Sequence, residues 1–286
     1  MKTRILVGIP IGLLIIAALV LQSWVLAGLF ALVSIVGVYE LTHALEQNGT
    51  KVVKSVPFAF AVLSLPVLYY LRNLGILFIL FACCIVALFI IAMFSRKYNF
   101  ESLLKSVFAL IYPQIFIVFA YLILFEFTNM QFFGTNPIAL VMAIVPTVFC
   151  DIFAYFFGRA FGKTKLCPDI SPKKTVAGSV WGLLGGVMAA FLIWLLMASG
   201  LVIHSLSWEM DVVNFLILGA VVAGVSQFGD LAASFVKRYF GIKDYGKILP
   251  GHGGVLDRVD SILFALPVVY IYFVAYAAVS SAALWL

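Results

Sequence analysis

The sequence predicts an all-α, polytopic integral membrane protein with about nine transmembrane helices and a cytoplasmic N-terminus. Three observations indicate this fold class: the composition, the long apolar runs and the one-sided distribution of positive charge. Of the 286 residues, 65% are hydrophobic and only 10% are charged, and the mean hydropathy is +1.18. A soluble domain carries about a quarter charged residues. This chain therefore has too few charges to cover a water-facing surface.

The apolar runs define the predicted spans, because a helix needs about 20 apolar residues to cross the hydrocarbon core. The uncharged run from Ile5 to Tyr39 is too long for one span, and Gln22 and Ser23 offer a hairpin turn within it. The predicted spans are 4–21, 24–44, 56–71, 74–94, 106–126, 137–158, 179–202, 212–236 and 261–284.

Positive charge orients these spans. When the loops are assigned alternately to the two sides, all but Arg72 of the 18 Lys and Arg residues fall on the side of the N-terminus. Cytoplasmic loops carry such an excess of Lys and Arg. We therefore expect a protein integral to the inner (cytoplasmic) cell membrane, with its functional face toward the cytoplasm. The same asymmetry accounts for the net charge of +6 without a nucleic-acid partner.

The chain divides by content into two predicted regions. Residues 1–135 hold about five spans with few polar groups, whereas residues 136–286 hold the polar motifs and form the predicted catalytic region. The four cysteines form no CxxC pair, which favours reduced thiols over disulfides or a zinc site.

Two basic loops of the second region are richer than topology requires. They read FGRAFGKTKLCPDISPKKTVAGSVWG and SFVKRYFGIKDYGKILPGHGGVLDRVDS. Glycines let backbone N–H groups approach phosphate oxygens, and Lys and Arg supply opposing charge. In the first loop, an anion site would use Ser171, Lys173, Lys174 and Thr175 as donors. The alternative for this segment is a helix start whose lysines contact anionic lipid headgroups.

Acidic residues inside predicted spans are hypotheses of function, because ionisable groups within a membrane are costly. Asp151 lies four residues before Tyr155 and eight before Arg159, on one helical face. Asp230 is about 10 Å below the second basic loop at 1.5 Å per residue. The alternative for Asp230 is a structural ion pair or a polar contact between helices. The polar face that contains it consists of Ser226, Asp230, Ser234, Lys237 and Arg238.

Asp257 and Asp260 begin the last span, where acids also stabilise a helix N-terminus. Asp257 and Asp230 together offer two carboxylates from different helices beside a basic, glycine-rich loop. Hard oxygen ligands next to phosphate-binding groups favour Mg²⁺. Zinc lacks cysteine ligands here and has only His252 nearby. Glu40 and His43, near the end of the second span, are interpreted as interfacial residues.

The second loop resembles the signature of the phosphatidate cytidylyltransferases, also called CDP-diacylglycerol synthases. All of its specified positions match across 27 residues. They are Ser234, Val236, Lys237, Arg238, Lys243, Asp244, Gly246, Leu249, Pro250, His252, Gly253, Gly254, Asp257, Arg258 and Asp260. Further matches are Asp151, Tyr155, Gly158, Arg159 and Gly162 ahead of ISPKKT, and Gly229 with Asp230. In detail the resemblance covers roughly residues 150–262.

The resemblance implies the reaction of CTP with phosphatidate to give CDP-diacylglycerol and pyrophosphate, with Mg²⁺ and possibly a second cation. It makes Asp230 and Asp257 the first metal-ligand candidates, with Asp151, Asp244 and Asp260 secondary. The expected catalytic residues are Asp230, Asp257, Lys237, Arg238 and Arg258. The expected substrate-binding residues are Ser171, Lys173, Lys174, Thr175, Ser234, Lys243, Asp244, Lys247, His252, Gly253 and Gly254.

Other functions remain open from the sequence. A CDP-alcohol phosphotransferase would carry Asp-Gly-x-x-Ala-Arg, which does not occur. An anion or proton-coupled transporter would use Asp151 and Asp230 along a pathway, with polar groups through the full membrane depth. The family often has an acid where this chain has Ala177, which puts any shared role of that acid in doubt. The family also suggests a homodimer in the lipid membrane.

Overall fold

The fold consists almost entirely of helices in the computed structural model, which describes residues 23–126, 138–199, 211–249 and 253–283. The elements are α1 (Ser23–Leu45), α2 (Ser55–Pro66), a turn of π-helix (Val67–Leu71), α3 (Leu74–Phe94), α4 (Phe100–Ile111), α5 (Gln114–Glu126), α6 (Ile138–Phe161), β1 (Lys165–Cys167), β2 (Ser171–Thr175), α7 (Val176–Ala198), α8 (Val212–Tyr239) and α9 (Leu256–Ala283).

Seven segments of the described chain are long and apolar enough to cross a membrane, with α4 and α5 together forming one of them. The π-turn prolongs α2 into a shorter apolar helix, Ser55–Leu71. The all-α, polytopic membrane fold is thereby confirmed. The first predicted span, 4–21, lies outside the described residues. The total of nine spans and the cytoplasmic N-terminus stay predictions.

The turn between α2 and α3 follows from its sequence. Pro66 lacks the backbone N–H that an α-helix needs, and the chain continues from it as a π-turn. Arg72 then adopts a left-handed conformation with φ of 44° and ends the helix. The side chain of Asn73 accepts hydrogen bonds from the N–H groups of Gly75 and Ile76, which caps α3. The predicted turn at 72–73 is thus built by a left-handed residue and a cap.

The span predicted at 106–126 begins earlier and is interrupted. Asn99 and Ser102 form a reciprocal capping box, so α4 begins at Phe100. Pro113 has no N–H to donate, and the helix stops at Ile111 and resumes as α5 at Gln114. Buried Ser34 of α1 donates a hydrogen bond to the Gln114 side chain, 2.6 Å away. This contact ties the start of α5 to α1.

The loop that contains SPKKT forms a short antiparallel hairpin, which the sequence did not predict. Strands β1 and β2 pair Lys165 with Thr175 and Cys167 with Ser171. Helix α7 begins directly after β2, and the Thr175 hydroxyl accepts a hydrogen bond from the Gly178 N–H. The SPKKT segment therefore precedes a helix, as expected. It forms strand β2, and its last residue, Thr175, is the N-cap of α7.

The chain forms two compact units. The first consists of Met1–Phe125 together with Val236–Val259, and the second consists of Glu126–Phe235 together with Asp260–Leu286. Helices α8 and α9 each contribute residues to both units. Most of the signature segment consequently belongs with the N-terminal helices by contact. The predicted division at residue 135 was drawn from motif content and stays a prediction.

Small residues hold α6 and α7 together in the second unit. A Cβ atom on Gly178 would lie 2.8 Å from the carbonyl oxygen of Ala154 and 3.1 Å from Cα of Gly158. These two helices can approach this closely only where side chains are absent, as is common in membrane helix packing. The contact places β2, which leads into α7, beside the end of α6.

Candidate functional site

The glycine-rich loop between α8 and α9, which the structure describes at residues 240–249 and 253–255, is organised by Asp257. One carboxylate oxygen, Oδ2, accepts hydrogen bonds from the N–H groups of Tyr245 (2.8 Å) and Gly254 (2.9 Å). The other, Oδ1, lies 2.8 Å from the ammonium of Lys237. The Lys237 and Asp257 side chains are only 10% and 4% exposed. Asp257 therefore joins two points of the loop, Tyr245 and Gly254, to Lys237 of α8.

Glu40 of α1 supports the same loop from the other side. It is 1% exposed, and its carboxylate accepts hydrogen bonds from the N–H groups of Val255 (3.0 Å) and Leu256 (2.8 Å). A negative charge at these groups also stabilises the start of α9. A Cβ atom on Gly254 would lie 2.5 Å from Glu40 Oε2, and one on Gly246 would also collide with this side chain. Glycine at both positions is explained by contact with Glu40.

A buried lysine lies at the beginning of the loop. The Lys105 side chain of α4 is 7% exposed, and its ammonium is 2.8 Å from the Glu101 carboxylate. It also lies 5.4 Å from the ring centroid of Phe240, which is a cation–π distance. Lys105 therefore connects α4 to the loop through Phe240.

The loop presents its remaining charges outward. Lys243, Asp244 and Lys247 are exposed and line a cavity of about 610 Å³ within the first unit. Tyr245 lies between them in the sequence but is buried, with its ring 5.2 Å from the Lys237 ammonium. The exposed charges of the loop therefore line the cavity, while the buried Tyr245, which also lines it, helps to hold the loop through Asp257.

A carboxylate–lysine pair also lies in the second unit. The Lys174 ammonium is 2.6 Å from Asp230 Oδ2, and the two side chains are 25% and 32% exposed. The Ser234 hydroxyl is 3.5 Å from Asp230 Oδ1, one turn further along α8. Lys174 is also within 3.5 Å of the Gln227 carbonyl. The predicted residues Lys174, Asp230 and Ser234 are therefore brought together.

Close packing brings the start of α9 to the turn of α8 that carries Asp230. A Cβ atom on Gly229 would lie 3.0 Å from the Asp260 carbonyl oxygen and 2.9 Å from Cβ of Phe264. The Asp260 side chain is 6% exposed and accepts a hydrogen bond from the Ser261 N–H. Glycine at 229 permits this contact, next to the pair that Asp230 forms.

The remaining predicted residues differ in their exposure to solvent. The Thr175 hydroxyl is engaged as the cap of α7, and Ser171 is half-buried at the start of β2. Arg238 donates a hydrogen bond to the Ile242 carbonyl while remaining exposed. His252 lies outside the described residues. The exposed side chains are those of Asp151, Lys173, Arg238 and Arg258.

Among the described residues, no three His, Cys, Asp or Glu side chains form a group that could hold a metal ion. Mg²⁺ commonly binds through one or two carboxylates plus substrate phosphates and waters, so such a group is not required. Asp230 fits this role, since its carboxylate is a hard ligand and partly exposed. The Asp257 side chain, in contrast, is only 4% exposed and already accepts hydrogen bonds from three donors. The pairing of Asp230 with Asp257, one carboxylate from each unit, stays a prediction.

Two supporting residues were missed in the sequence. Glu40 was interpreted as interfacial because it lies near the end of its span. Lys105 was counted only among the positive charges that orient the membrane spans. An available signal was that both are ionisable residues within apolar helices, where such groups usually have partners. The partners themselves are far away in sequence, so the sequence could not identify them.

A second cavity of the first unit, about 410 Å³, is basic. Its walls include Glu46 and three lysines: Lys51, Lys54 and Lys97. The Lys54 ammonium is 2.6 Å from the Glu46 carboxylate. Burial alone would raise the pKa of Glu46, but the hydrogen bonds from Lys54 and the Val52 N–H and the charges of Lys54 and His43 outweigh it. The pKa of Glu46 therefore lies below its ordinary value.

Comparison with known proteins agrees with the signature. Residues 2–276 match the model of the cytidylyltransferase family. The phosphatidate cytidylyltransferase of Thermotoga maritima is 43% identical over 133 residues, which are 46% of this chain and 48% of that protein. That of Brucella abortus is 46% identical over 140 residues, covering 49% and 47% of the two chains. That of Aquifex aeolicus is 36% identical over 176 residues, covering 62% and 59%.

The chain spans about half the length of the first curated relatives it matches. The family model, in contrast, extends over nearly the whole chain and includes the Lys174–Asp230 pair, the Lys237–Asp257 pair and the loop that Asp257 organises. The protein belongs to the cytidylyltransferase family.

Proposed function

We propose that this protein is a phosphatidate cytidylyltransferase, which converts CTP and phosphatidate to CDP-diacylglycerol and pyrophosphate. One observation carries the proposal. The signature segment forms a loop that is anchored by buried Asp257 and Glu40 and presents two exposed lysines to a cavity. Relatives that match the chain at 36–46% identity carry this activity in their names.

The chemistry needs charge compensation more than proton transfer. A phosphate-monoester oxygen of the lipid attacks the α-phosphorus of CTP, and the bond from that phosphorus to the pyrophosphate oxygen breaks. A phosphate monoester has a second pKa near 6 and is largely ionised at neutral pH. A general base is therefore not needed. The principal barrier is the electrostatic repulsion between two polyanions as they approach. Fixed positive charges in the site lower this barrier.

The lysines divide this work according to their contacts. Lys243 and Lys247 are exposed beside the cavity and would bind phosphate oxygens there. Lys237 is buried against Asp257, so it would hold the loop in place and act on the substrate indirectly. Exposed Arg238 and Arg258 are further candidates for anion binding.

The Lys174–Asp230 pair is suited to a site that exchanges partners. Its side chains are partly exposed. A substrate phosphate can therefore bind the Lys174 ammonium in place of Asp230, and the Asp230 carboxylate can then bind a cation. Asp230 would be the first ligand of Mg²⁺, with Asp257, Asp151 and Asp260 as further candidates. When bound, Mg²⁺ supplies positive charge that offsets the phosphates.

The location follows from the substrates. The acyl chains of phosphatidate would stay in the bilayer while its headgroup meets water-soluble CTP. We propose that the basic side of the membrane helices faces the cytoplasm, in the inner membrane of the cell. A homodimer remains a proposal that the family suggests.

Purified protein in detergent with labelled CTP, phosphatidate and Mg²⁺ tests the activity. We expect CDP-diacylglycerol and pyrophosphate in equal amounts, and no product when phosphatidate is omitted. The variant Lys243→Met should lower activity, whereas Lys51→Met, an exposed lysine of the other cavity, serves as its matched control. Absence of product with the wild-type protein would overturn the proposal. Transport of CTP or phosphate into vesicles without product would favour the transporter alternative.

A further inference from the structure

The cavity beside the glycine-rich loop has a second wall that the signature does not include. Its volume of about 610 Å³ falls within the range of small-molecule sites. One wall is the loop segment 242–248, which carries Lys243, Asp244 and Lys247. The other wall is the end of α1, where Tyr39, His43 and Gln47 line the cavity. Both walls belong to the first unit.

The α1 wall is aromatic. Tyr39 and His43 are four residues apart, and their rings are parallel within 6° with centroids 6.4 Å apart. Tyr39 is 55% exposed, and His43 is exposed as well. Aromatic side chains are common at membrane interfaces, where they anchor helices in lipid. This pair also lines the cavity together with charged and polar groups, an arrangement that lipid anchoring does not require.

The two walls together match the parts of a nucleotide. Exposed aromatic rings bind nucleobases by stacking. A carboxylate such as that of Asp244 accepts a hydrogen bond from the exocyclic amine of cytosine, and the Gln47 amide can donate to its carbonyl oxygen. Lys243 and Lys247 carry the charge that phosphates require. A phospholipid headgroup would use the lysines but not the aromatic pair.

We propose that Tyr39 and His43 form the stacking surface for the cytosine base of CTP, with Asp244 and Gln47 at its polar edge and Lys243 and Lys247 toward its phosphates. This inference rests on the proposed function and adds the base subsite to it. Glu40, which is on the same stretch of α1, anchors the loop by its hydrogen bonds to Val255 and Leu256. Gly246, within the phosphate wall, also packs directly against the Glu40 side chain, so the two walls are held in a fixed relation.

Binding of labelled CTP to the purified protein, measured without phosphatidate, tests the subsite directly. We expect Tyr39→Leu to weaken CTP binding about tenfold, which is typical of the loss of one base-stacking side chain. Tyr39→Phe keeps the ring and should bind within about twofold of wild type by the same reasoning. Tyr98→Leu replaces a tyrosine of the other cavity and is the matched control.

Steady-state kinetics give the second measurement. Tyr39→Leu and His43→Ala should raise KM for CTP and leave KM for phosphatidate unchanged. Irradiation with 5-iodo-CTP, a photoreactive analogue that keeps the exocyclic amine and the carbonyl oxygen of cytosine, should label the segment Tyr39–Gln47. Unchanged CTP binding in both variants, a selective rise in KM for phosphatidate, or labelling elsewhere would each overturn the base subsite. Because the wild-type protein would still form product in those cases, this failure differs from failure of the proposed function, in which wild type neither binds CTP nor forms product.

Discussion

The Lys237–Asp257 and Lys174–Asp230 pairs have the same chemistry and opposite surroundings. Asp257 and Lys237 are almost fully buried, and Asp257 also accepts two backbone hydrogen bonds from the glycine-rich loop. Asp230 and Lys174 are each about a quarter to a third exposed. A carboxylate has about four acceptor positions, of which Asp257 already uses three. The first pair therefore maintains a structure, and the second remains accessible to ligands.

This difference separates two roles that the signature presents as one. Removing one partner of a buried pair leaves an uncompensated charge in a medium of low polarity. Removing one partner of a partly exposed pair costs little, because water replaces the interaction. Stability measurements should therefore respond to Asp257 and activity measurements to Asp230.

The largest effect is expected for Asp257→Ala. It removes the partner of buried Lys237 and the acceptor of two loop N–H groups, so we expect a loss of about 3–5 kcal/mol in the free energy of unfolding. Unfolding of the protein in detergent, induced by heat or denaturant, measures this loss of stability. Asp230→Ala makes the same change in the exposed pair and should cost less than about 1 kcal/mol. Equal losses in the two variants would contradict the comparison.

The next effect concerns activity. Asp230→Asn keeps the size of the side chain but removes its charge, and we expect kcat/KM to fall by roughly 10²–10³-fold, as for other groups that stabilise charge in a transition state. Wild-type protein should be stabilised by added Mg²⁺ and the variant should not. Asp169→Asn, in the exposed turn of the hairpin, is the control. An active Asp230→Asn that retains the Mg²⁺ response would remove Asp230 from the site.

A smaller effect tests the contact between Glu40 and the loop. Gly254→Ala places a methyl group against the Glu40 carboxylate, and we expect a loss of about 1–3 kcal/mol from overpacking. Glu40→Ala leaves the Val255 and Leu256 N–H groups without their acceptor and should also cost about 1–3 kcal/mol. In the double variant the methyl group gains room. The combined loss should therefore be smaller than the two single losses added together, and strict additivity would refute the contact.

The smallest effect depends on pH. The lowered pKa of Glu46 means that its pair with Lys54 stabilises the fold fully above the ordinary pKa of 4.5 and loses this contribution as the pH falls through the lower, folded-state value. Lys54→Met should cost under about 1 kcal/mol at pH 7, and the cost should disappear at more acidic pH. Lys51→Met serves as control, since Lys51 lines the same cavity. If Lys54→Met destabilised the protein equally at pH 7 and at acidic pH, the Glu46–Lys54 pair could not be the cause of that destabilisation.

The membrane helices were predictable because each depends on local sequence. Apolar length, Pro66 and Asn73 set the boundaries of α2 and α3 without reference to the rest of the chain. The hairpin β1–β2 was not predicted, because short strands with exposed polar side chains carry no strong periodicity. The signature identified the charged residues of the loop, but not which of them face the cavity.

The sequence alone determined that this is a helical membrane protein with a concentrated set of basic, acidic and glycine residues, since composition and spacing depend only on the order of residues. Tertiary structure decided which partners these residues have. Glu40 meets Leu256 across 216 positions in the chain, and Lys174 meets Asp230 across a smaller gap. Burial then makes Asp257 an anchor and leaves Asp230 accessible. The environment of a charge is a property of the fold, and no local pattern encodes it.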